Sequence, residues 1–323
     1  GGVINSFNNN AKLGKGEWAI LEADESDGSF LKLPVHYSIV TNIDHEHMDY
    51  YKNYKNLQLA FINFINKTPP IGKSFVCVDN ENIRRILKNL RGKNILTYGF
   101  NKKANYKIAN PRYFMTHSIF DLVYKNPNNK QSSINDINIK LIGEHNISNA
   151  AAAVAVCLNL GVKINVIKKA LKNFSGVQRR MTKIFTNKKN EFYDDYAHHP
   201  TEIASMLKGV TKVYQKRKII SVFEPHRYSR IISLKKAFSK SFYGSDIVLV
   251  CPLYAAGEKK NKKFNLINFG KLIAKHSKTQ VILVKNQNDL TNYFKKNLIS
   301  NEIVIGMGAG LISQWMRELK HNL

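Results

Sequence analysis

At 323 residues the chain is long enough for two domains with cores of their own, and a hydrophobic share of 43% excludes a disordered polymer. Its longest apolar run, Ala150 to Leu158, falls far short of the ~20 residues a membrane-spanning helix needs, so no membrane partner is expected. The net charge of +27, from 50 Lys+Arg against 23 Asp+Glu, raises a basic nucleic-acid-binding protein as a rival class. The lysines, however, are spread evenly in the company of asparagines (Asn8-Asn9-Asn10, Asn128-Asn129-Lys130, Lys188-Lys189-Asn190). A nucleic-acid footprint clusters on one face, so no nucleic-acid partner is expected either. Such a surface still attracts anionic substrates in a salt-dependent way.

Gly1-Gly2 opens the chain with no Met and no apolar leader, which reads as an interior point of a longer protein. Three cysteines (Cys77, Cys157, Cys251) lie far apart inside apolar runs, which suits small core residues in a reducing, cytoplasmic compartment.

In chain order, Trp18-Ala19-Ile20-Leu21 and Tyr37-Ser38-Ile39-Val40 read as buried strands. Each runs into an acidic cluster: Glu22-Ala23-Asp24-Glu25-Ser26-Asp27, then Asp44-His45-Glu46-His47-Met48-Asp49. Two neighbouring strand ends carrying carboxylates and imidazoles could hold Mg²⁺ against a phosphate, or could simply be polar loops. A helix over Tyr51–Asn66 is stopped by Pro69-Pro70, and a strand (Phe75–Val78), a helix (Glu81–Leu90) and a strand (Ile95–Tyr98) follow. From Tyr106 to Leu141 the period shifts toward two, with a turn at Asn126-Pro127-Asn128-Asn129, as in hairpins. Gly143 then opens an alanine-rich helix through Leu160, and a second helix spans Ile164–Phe174.

The βα rhythm restarts after Gly176, where the domain boundary is placed. Strands at Glu191–Tyr193, Lys218–Phe223, Ile247–Cys251, Val281–Val284 and Ile303–Ile305 alternate with helices at Thr201–Val213, Ser233–Phe242, Asn265–His276, Asn288–Lys296 and Leu311–Lys320. That alternation predicts a doubly wound, mainly parallel sheet.

Two glycine motifs invite a phosphate-loop reading. Gly72-Lys73-Ser74 fails, because Lys67 occupies the position five before Gly72 and the triplet precedes a strand instead of a helix. Gly306-Met307-Gly308-Ala309-Gly310 lacks the full dinucleotide spacing and reads better as tight helix–strand packing. Asp194-Asp195-Tyr196-Ala197-His198-His199-Pro200 is more specific, since it crowds titratable groups between a strand end and a helix start. Phe223-Glu224-Pro225-His226-Arg227-Tyr228-Ser229-Arg230 occupies the equivalent place after the next strand. Arg227 and Arg230, three apart, could both face one small carboxylate.

Glu22–Asp27, Thr41-Asn42 leading to His47-Met48-Asp49, Gly143-Glu144-His145-Asn146-Ile147-Ser148-Asn149, Arg179-Arg180, Asp194–Pro200, Pro225–Arg230 and Tyr254-Ala255-Ala256-Gly257-Glu258 together resemble the Mur ligase family in seven ordered motifs. The resemblance runs the length of the chain and is nearest to the alanine-adding branch. It implies a partial central ATP-binding α/β domain over residues 1–176, followed over 177–323 by a Rossmann-like, doubly wound amino-acid-binding domain. The implied activity is ATP-driven ligation of L-alanine to the lactyl carboxylate of UDP-N-acetylmuramate through an acyl phosphate, in bacterial peptidoglycan synthesis. By the same resemblance Glu22 and His47 would hold Mg²⁺, Asn146 and Asn149 the adenine, Arg180 the phosphates and Asp195 the ribose of ATP. Tyr196, His198, His226, Arg227 and Arg230 would surround the alanine, with His198, Arg227 and Arg230 serving the chemistry.

Relatives adding later residues carry a carbamylated lysine where Ala60-Phe61 stands here, a departure that fits the alanine-adding branch. A ligase attaching a recycled tripeptide to the same sugar is the near alternative, and Ser26-Asp27-Gly28-Ser29-Phe30 favours alanine. The family's UDP-binding domain and Gly-Lys-Thr phosphate loop would lie upstream of residue 1, so these residues alone are expected to be inactive.

Overall fold

Short apolar runs punctuated by Asn, Pro and Gly become the strands of two separate sheets in a computed structural model that describes residues 2–90, 92 and 94–323. Gly1 lies outside the described residues. The chain divides into two compact units, Ala11–Ser175 and Gly176–Leu323, and the second also takes in Gly2–Asn10.

Among the described residues of the first unit, six strands form one sheet in sequence order: β1 (Tyr37–Val40), β2 (Lys73–Cys77), β3 (Ile95–Gly99), β4 (Tyr106–Tyr113), β5 (Ser118–Lys125) and β6 (Gln131–Ile139). β1 to β4 run parallel, and β4, β5 and β6 form an antiparallel meander. The turn after β5 forms where expected because the Asn126 side chain accepts hydrogen bonds from the backbone N–H groups of Asn128 and Lys130. The helices are α1 (Met48–Tyr51), α2 (Tyr54–Asn66), α3 (Glu81–Ile86), α4 (Glu144–Asn159) and α5 (Ile164–Asn173). The helix expected over Tyr51–Asn66 begins at Tyr54 because Asn53 caps it, its side chain accepting from Asn56 N–H at 2.9 Å. Alanines 151, 152 and 155 of α4 are buried, and their small side chains let α4 lie close on β2, β3 and β4.

The strand expected at Trp18–Leu21 does not form. Ile20 is 95% exposed, and Trp18 touches the edge strand only through its ring, 5.3 Å from that of Tyr37. Four apolar residues without a neighbour's ladder have no partner for their N–H and C=O groups, and apolarity alone does not make a strand. Gly72-Lys73-Ser74 is likewise structural. A Cβ on Gly72 would stand 1.8 Å from the His36 carbonyl oxygen, and Ser74 joins Ser38 and Thr68 in a buried hydroxyl cluster.

The second unit contains β7 (Thr182–Asn187), β8 (Asn190–Asp195), β9 (Ile219–Phe223), β10 (Ile247–Val250), β11 (Gln280–Leu283) and β12 (Ile303–Met307), in the order β11-β10-β9-β12-β8-β7. The five expected strands are parallel, and β7 is an additional antiparallel edge joined to β8 by the Lys188-Lys189 turn. Its helices are α6 (Pro200–Val213), α7 (Tyr228–Ser233), α8 (Lys235–Ser241), α9 (Leu266–Ser277), α10 (Gln287–Asn297) and α11 (Ile312–Asn322). The helix expected over Ser233–Phe242 forms as α8, and α7 is an additional short helix just before it, the two meeting at Leu234. β12, last in sequence, inserts between β8 and β9, so the chain reverses its winding there. In open α/β sheets such a switch point, at the carboxyl ends of the strands, is where ligands bind.

The opposite end of this sheet carries an ion network. Glu191 accepts from Arg217 Nη1 and Tyr193 Oη, with Lys183 Nζ 3.1 Å away. Burial alone would raise the Glu191 carboxyl, but these hydrogen bonds outweigh it and hold it at about 2. Because the unfolded value is higher, the network's contribution is full above the ordinary glutamate range and is lost as pH falls through about 2. Replacing Glu191 by Gln should therefore lower stability at pH 7 by about 1 kcal/mol, the usual scale for a partly solvated charged hydrogen bond. Thermal melts of both proteins should converge as the pH is lowered into that window.

Candidate active site

Three strand ends meet at the switch point of the second unit. β8 delivers Asp194 and Asp195, β9 delivers Glu224 to Arg230, and β12 delivers Gly308 to Gly310. Glu224 is buried at the start of α11, where its carboxylate accepts from the N–H groups of Leu311 and Ile312 at 3.0 and 3.4 Å. A Cβ on Gly310 would lie 2.5 Å from Glu224 Oε2 and 2.6 Å from Tyr254 Cγ, so only glycine fits between them. The Cβ of an alanine at 306 would likewise meet Met316 Cγ at 2.4 Å. Close packing, as expected, is what these glycines serve.

On this frame His198 and His226 face each other with ring centroids 5.7 Å apart. Tyr196 presents its ring edge to His198 at 5.0 Å, and Tyr254 stacks on His226 at 5.5 Å. The Tyr196 ring also carries the Arg179 guanidinium, 4.7 Å from its centroid. Arg179 is held in turn by the Gly308 carbonyl and by fully buried Asp194, which also accepts from Ser313 Oγ. His199 and Glu202 form a reciprocal cap on α6, with Pro200 in its first turn.

Protonation in the site follows from the partners. His198 Nδ1 lies 2.9 Å from the Tyr196 carbonyl oxygen, which can only accept, so Nδ1 carries the proton and Nε2 is the basic nitrogen. His226 has the reverse arrangement. Arg230 Nη1 donates to His226 Nδ1 at 3.0 Å, which leaves Nε2–H as a donor. Burial, then the charges of Arg230, His198 and Arg227, push His226 down to about 4. Glu202 is also shifted down, which for a carboxyl favours the charged form. Burial raises its carboxyl, but His198, the N–H groups of His198 and His199, and Arg180 together bring it below its ordinary value.

The sequence-predicted residues of this unit therefore fall into two sets. Tyr196, His198, His226 and Arg230 converge. Arg227 lies beside them, its Nε donating to Glu258 Oε1 at 3.0 Å. Asp195 is buried at 5% exposure, and its two oxygens accept from the backbone N–H groups of Ala197 and Met181, both at 2.8 Å. Burial pushes its carboxyl up to about 6. Arg180 is half-exposed, 3.8 Å from Glu202.

In the first unit His47, in left-handed backbone conformation just before α1, has Nε2 at 3.4 Å from Glu25 Oε1 and 3.9 Å from Glu46 Oε2. One ligand atom from each of these three lies within 4.8 Å of the others, and two carboxylate oxygens with an imidazole nitrogen fit a hard divalent cation. Glu22 is exposed and outside this trio, three residues before Glu25. Asn146 and Asn149 share one face of the first turns of α4, where Asn146 Nδ2 donates to the Ile142 carbonyl.

Sequence reasoning gave no role to Glu202, Glu224, Tyr254 or Glu258, and placed Glu25 and Glu46 only within the two acidic clusters. Tyr254 and Glu258 stood in a quoted motif, and the spacing from His199 to Glu202 is a legible helix cap. Glu25 and His47 belong to the two acidic clusters expected at neighbouring strand ends, and the fold brings them to 3.4 Å.

Two mainly parallel-sheet units, one gathering arginines and imidazoles at its switch point and one carrying a carboxylate–imidazole trio, make up an α/β protein. Residues 3–157 match the Mur ligase middle domain, and residues 179–310 match the Mur ligase glutamate ligase domain. The chain is 50% identical over 319 residues to the UDP-N-acetylmuramate–L-alanine ligase of Pelagibacter ubique, covering 99% of this chain and 69% of the relative. It is 36% identical to the enzyme of that name from Brucella anthropi, covering 100% and 69%. The crystal structure of UDP-N-acetylmuramate–alanine ligase MurC from Thermotoga maritima aligns with a TM-score of 0.75 at 25% identity, over 99% of this chain and 67% of that one. The chain belongs to the Mur ligase family, whose members are ATP-dependent amide-forming ligases.

The site makes a sharp titration prediction. His226 ring protons should titrate near pH 4 by NMR, against an ordinary histidine value of about 6.5. Between those values the unfolded chain binds the extra proton, so this group's share of stability is full above about pH 6.5 and fades as pH falls toward 4. A His226→Gln protein should lose that part of the pH slope in thermal melts.

Proposed function

We propose that the protein ligates L-alanine to the lactyl carboxylate of UDP-N-acetylmuramate at the expense of ATP, as a bacterial cytoplasmic enzyme of peptidoglycan synthesis. The observation that carries this reading is 50% identity across 99% of the chain to an enzyme of that name. The convergence of Tyr196, His198, His226 and Arg230, with Arg227 beside them, supports it.

In this reading the lactyl carboxylate attacks the γ-phosphate of ATP, giving an acyl phosphate and ADP. The alanine amine then attacks the acyl carbon and expels phosphate. Asn146 and Asn149 bind adenine, Arg180 the phosphates and Asp195 the ribose. His47, with Glu22 or with the Glu25 and Glu46 carboxylates beside it, would hold Mg²⁺, which neutralises phosphate charge when bound.

The chain's own groups supply the second step. An ammonium is not a nucleophile, so the amine must lose a proton before it attacks. His198, with its proton on Nδ1, offers Nε2 as the acceptor. His226 is a poor base at about 4, but its Nε2–H suits it to donate to oxygen as charge develops there. Arg227 and Arg230 hold the alanine carboxylate, fixing the amine for attack.

The complete gene product should release ADP only when ATP, UDP-N-acetylmuramate and L-alanine are all present. Arg230→Ala should raise the KM for alanine by about tenfold or more, the scale of one charge-assisted hydrogen bond, with the KM for ATP unchanged. Preference for a tripeptide over alanine in a competition assay would refute the alanine assignment. For the cation, His47→Ala should weaken Mn²⁺ binding, read by the loss of the free-ion EPR signal on titration, by about ten- to a hundredfold if one ligand of a small set is removed.

A further inference from the structure

We propose that Glu258 is the positioning residue that fixes the Arg227 guanidinium for the carboxylate of the incoming amino acid and thereby sets the affinity for alanine. The proposal rests on the alanine-site reading above.

Arg227 has φ 65° and ψ 128°, a backbone conformation that side-chain-bearing residues avoid. Something must hold it there. Its N–H donates to the Tyr254 carbonyl oxygen at 2.9 Å, and the Tyr254 N–H returns a bond to Pro225 O at 2.8 Å. Four residues on, in the same loop, Glu258 Oε1 accepts from Arg227 Nε at 3.0 Å and from Ser229 Oγ, while Oε2 accepts from the Ser229 N–H at 3.0 Å. One carboxylate thus ties the guanidinium to the first turn of α7.

An exposed salt bridge of this distance would do little. Glu258 differs in making three hydrogen bonds to two residues, with its side chain only 20% exposed. A bond at Nε also fixes the plane of the guanidinium, because the group is rigid, and so determines where its other edge points. Burial would raise the Glu258 carboxyl, but the Ser229 hydrogen bonds and Arg227 outweigh it, keeping the acid ionised in its role. Three donors already converge on this carboxylate, so Arg227 orientation fits it better than binding the alanine amine does.

The test uses the complete gene product. Glu258→Ala should raise the KM for alanine about tenfold with kcat changed by less than about threefold, and leave the KM values for ATP and UDP-N-acetylmuramate unchanged. Glu258→Gln, which keeps an acceptor oxygen, should fall between. In an Arg227→Lys background Glu258→Ala should add no further loss, because the two act through one interaction. A second measurement needs no turnover: the Arg227 Nε–H NMR signal, identified by its disappearance in Arg227→Lys, should exchange slowly in the wild type and rapidly in Glu258→Ala. An unchanged alanine KM, a fully additive double mutant, or an unaltered Nε–H signal overturns the proposal. If the wild type releases no ADP with alanine, the alanine reading falls and takes the affinity claim with it, while the Nε–H signal still decides whether Glu258 holds Arg227.

Discussion

A buried carboxylate at the tip of β9 is the constraint on which the second unit's site depends. Glu224 lies at 4% exposure, and burial raises its carboxyl against the lowering effect of the backbone N–H groups at the start of α11. Removing a carboxylate from water is costly unless donors replace the lost solvent, and the first N–H groups of a helix do so while their dipole favours the negative charge. That contact fastens the end of β9 to the segment following β12. The chain leaving β9 must then run through Pro225 to His226 and Arg227 at the switch point. Gly310 is the geometric counterpart, since any side chain there would displace both Glu224 and the Tyr254 ring that stacks on His226.

From this frame follows an electrostatic division of labour. Arginines 179, 180, 227 and 230 gather here, and each has an acidic or imidazole neighbour: Asp194, Glu202, Glu258 and His226 respectively. The acids at 202 and 258 are stabilised in their charged forms, and His226 in its neutral form. These three shifts have the sign expected beside arginines, whereas burial outweighs the neighbouring donors and raises the carboxyls of Asp195 and Glu224. The two histidines therefore differ although their rings are neighbours. One has its basic nitrogen left by a carbonyl contact, and the other has its donor nitrogen left by an arginine contact. This asymmetry comes from first contacts and not from ring chemistry.

The alternation of apolar runs and helical periods made most of the fold legible, including the parallel sheet of the second unit and the meander after Tyr106. Local chemistry reached less far where pairing decides structure. Trp18–Leu21 has a strand's composition but no neighbouring ladder, while β7 pairs with β8 despite a polar, lysine-containing sequence that sends no strong signal. Among site residues, those in contiguous motifs could be named: His198, His226, Arg227 and Arg230. Their counter-ions could not. Glu258 meets Arg227 across 31 positions of sequence, so only the folded chain brings them together.

The glycine motifs show why a residue pattern acquires meaning only from what surrounds it. Gly72-Lys73-Ser74 and Gly306-Met307-Gly308-Ala309-Gly310 both carry the composition associated with phosphate loops. In the first, the missing Cβ makes room for the His36 carbonyl oxygen at the start of a strand, and the serine is sealed in a hydroxyl cluster. In the second, the missing Cβ atoms make room for Met316, Glu224 and Tyr254. In both sets the missing Cβ accommodates the protein's own atoms. The second set nevertheless serves the site, because the atoms it accommodates carry His226 and Arg227 to the switch point. A packing glycine and a functional glycine are then not alternatives. At Gly310 close packing is the means by which the cleft is built.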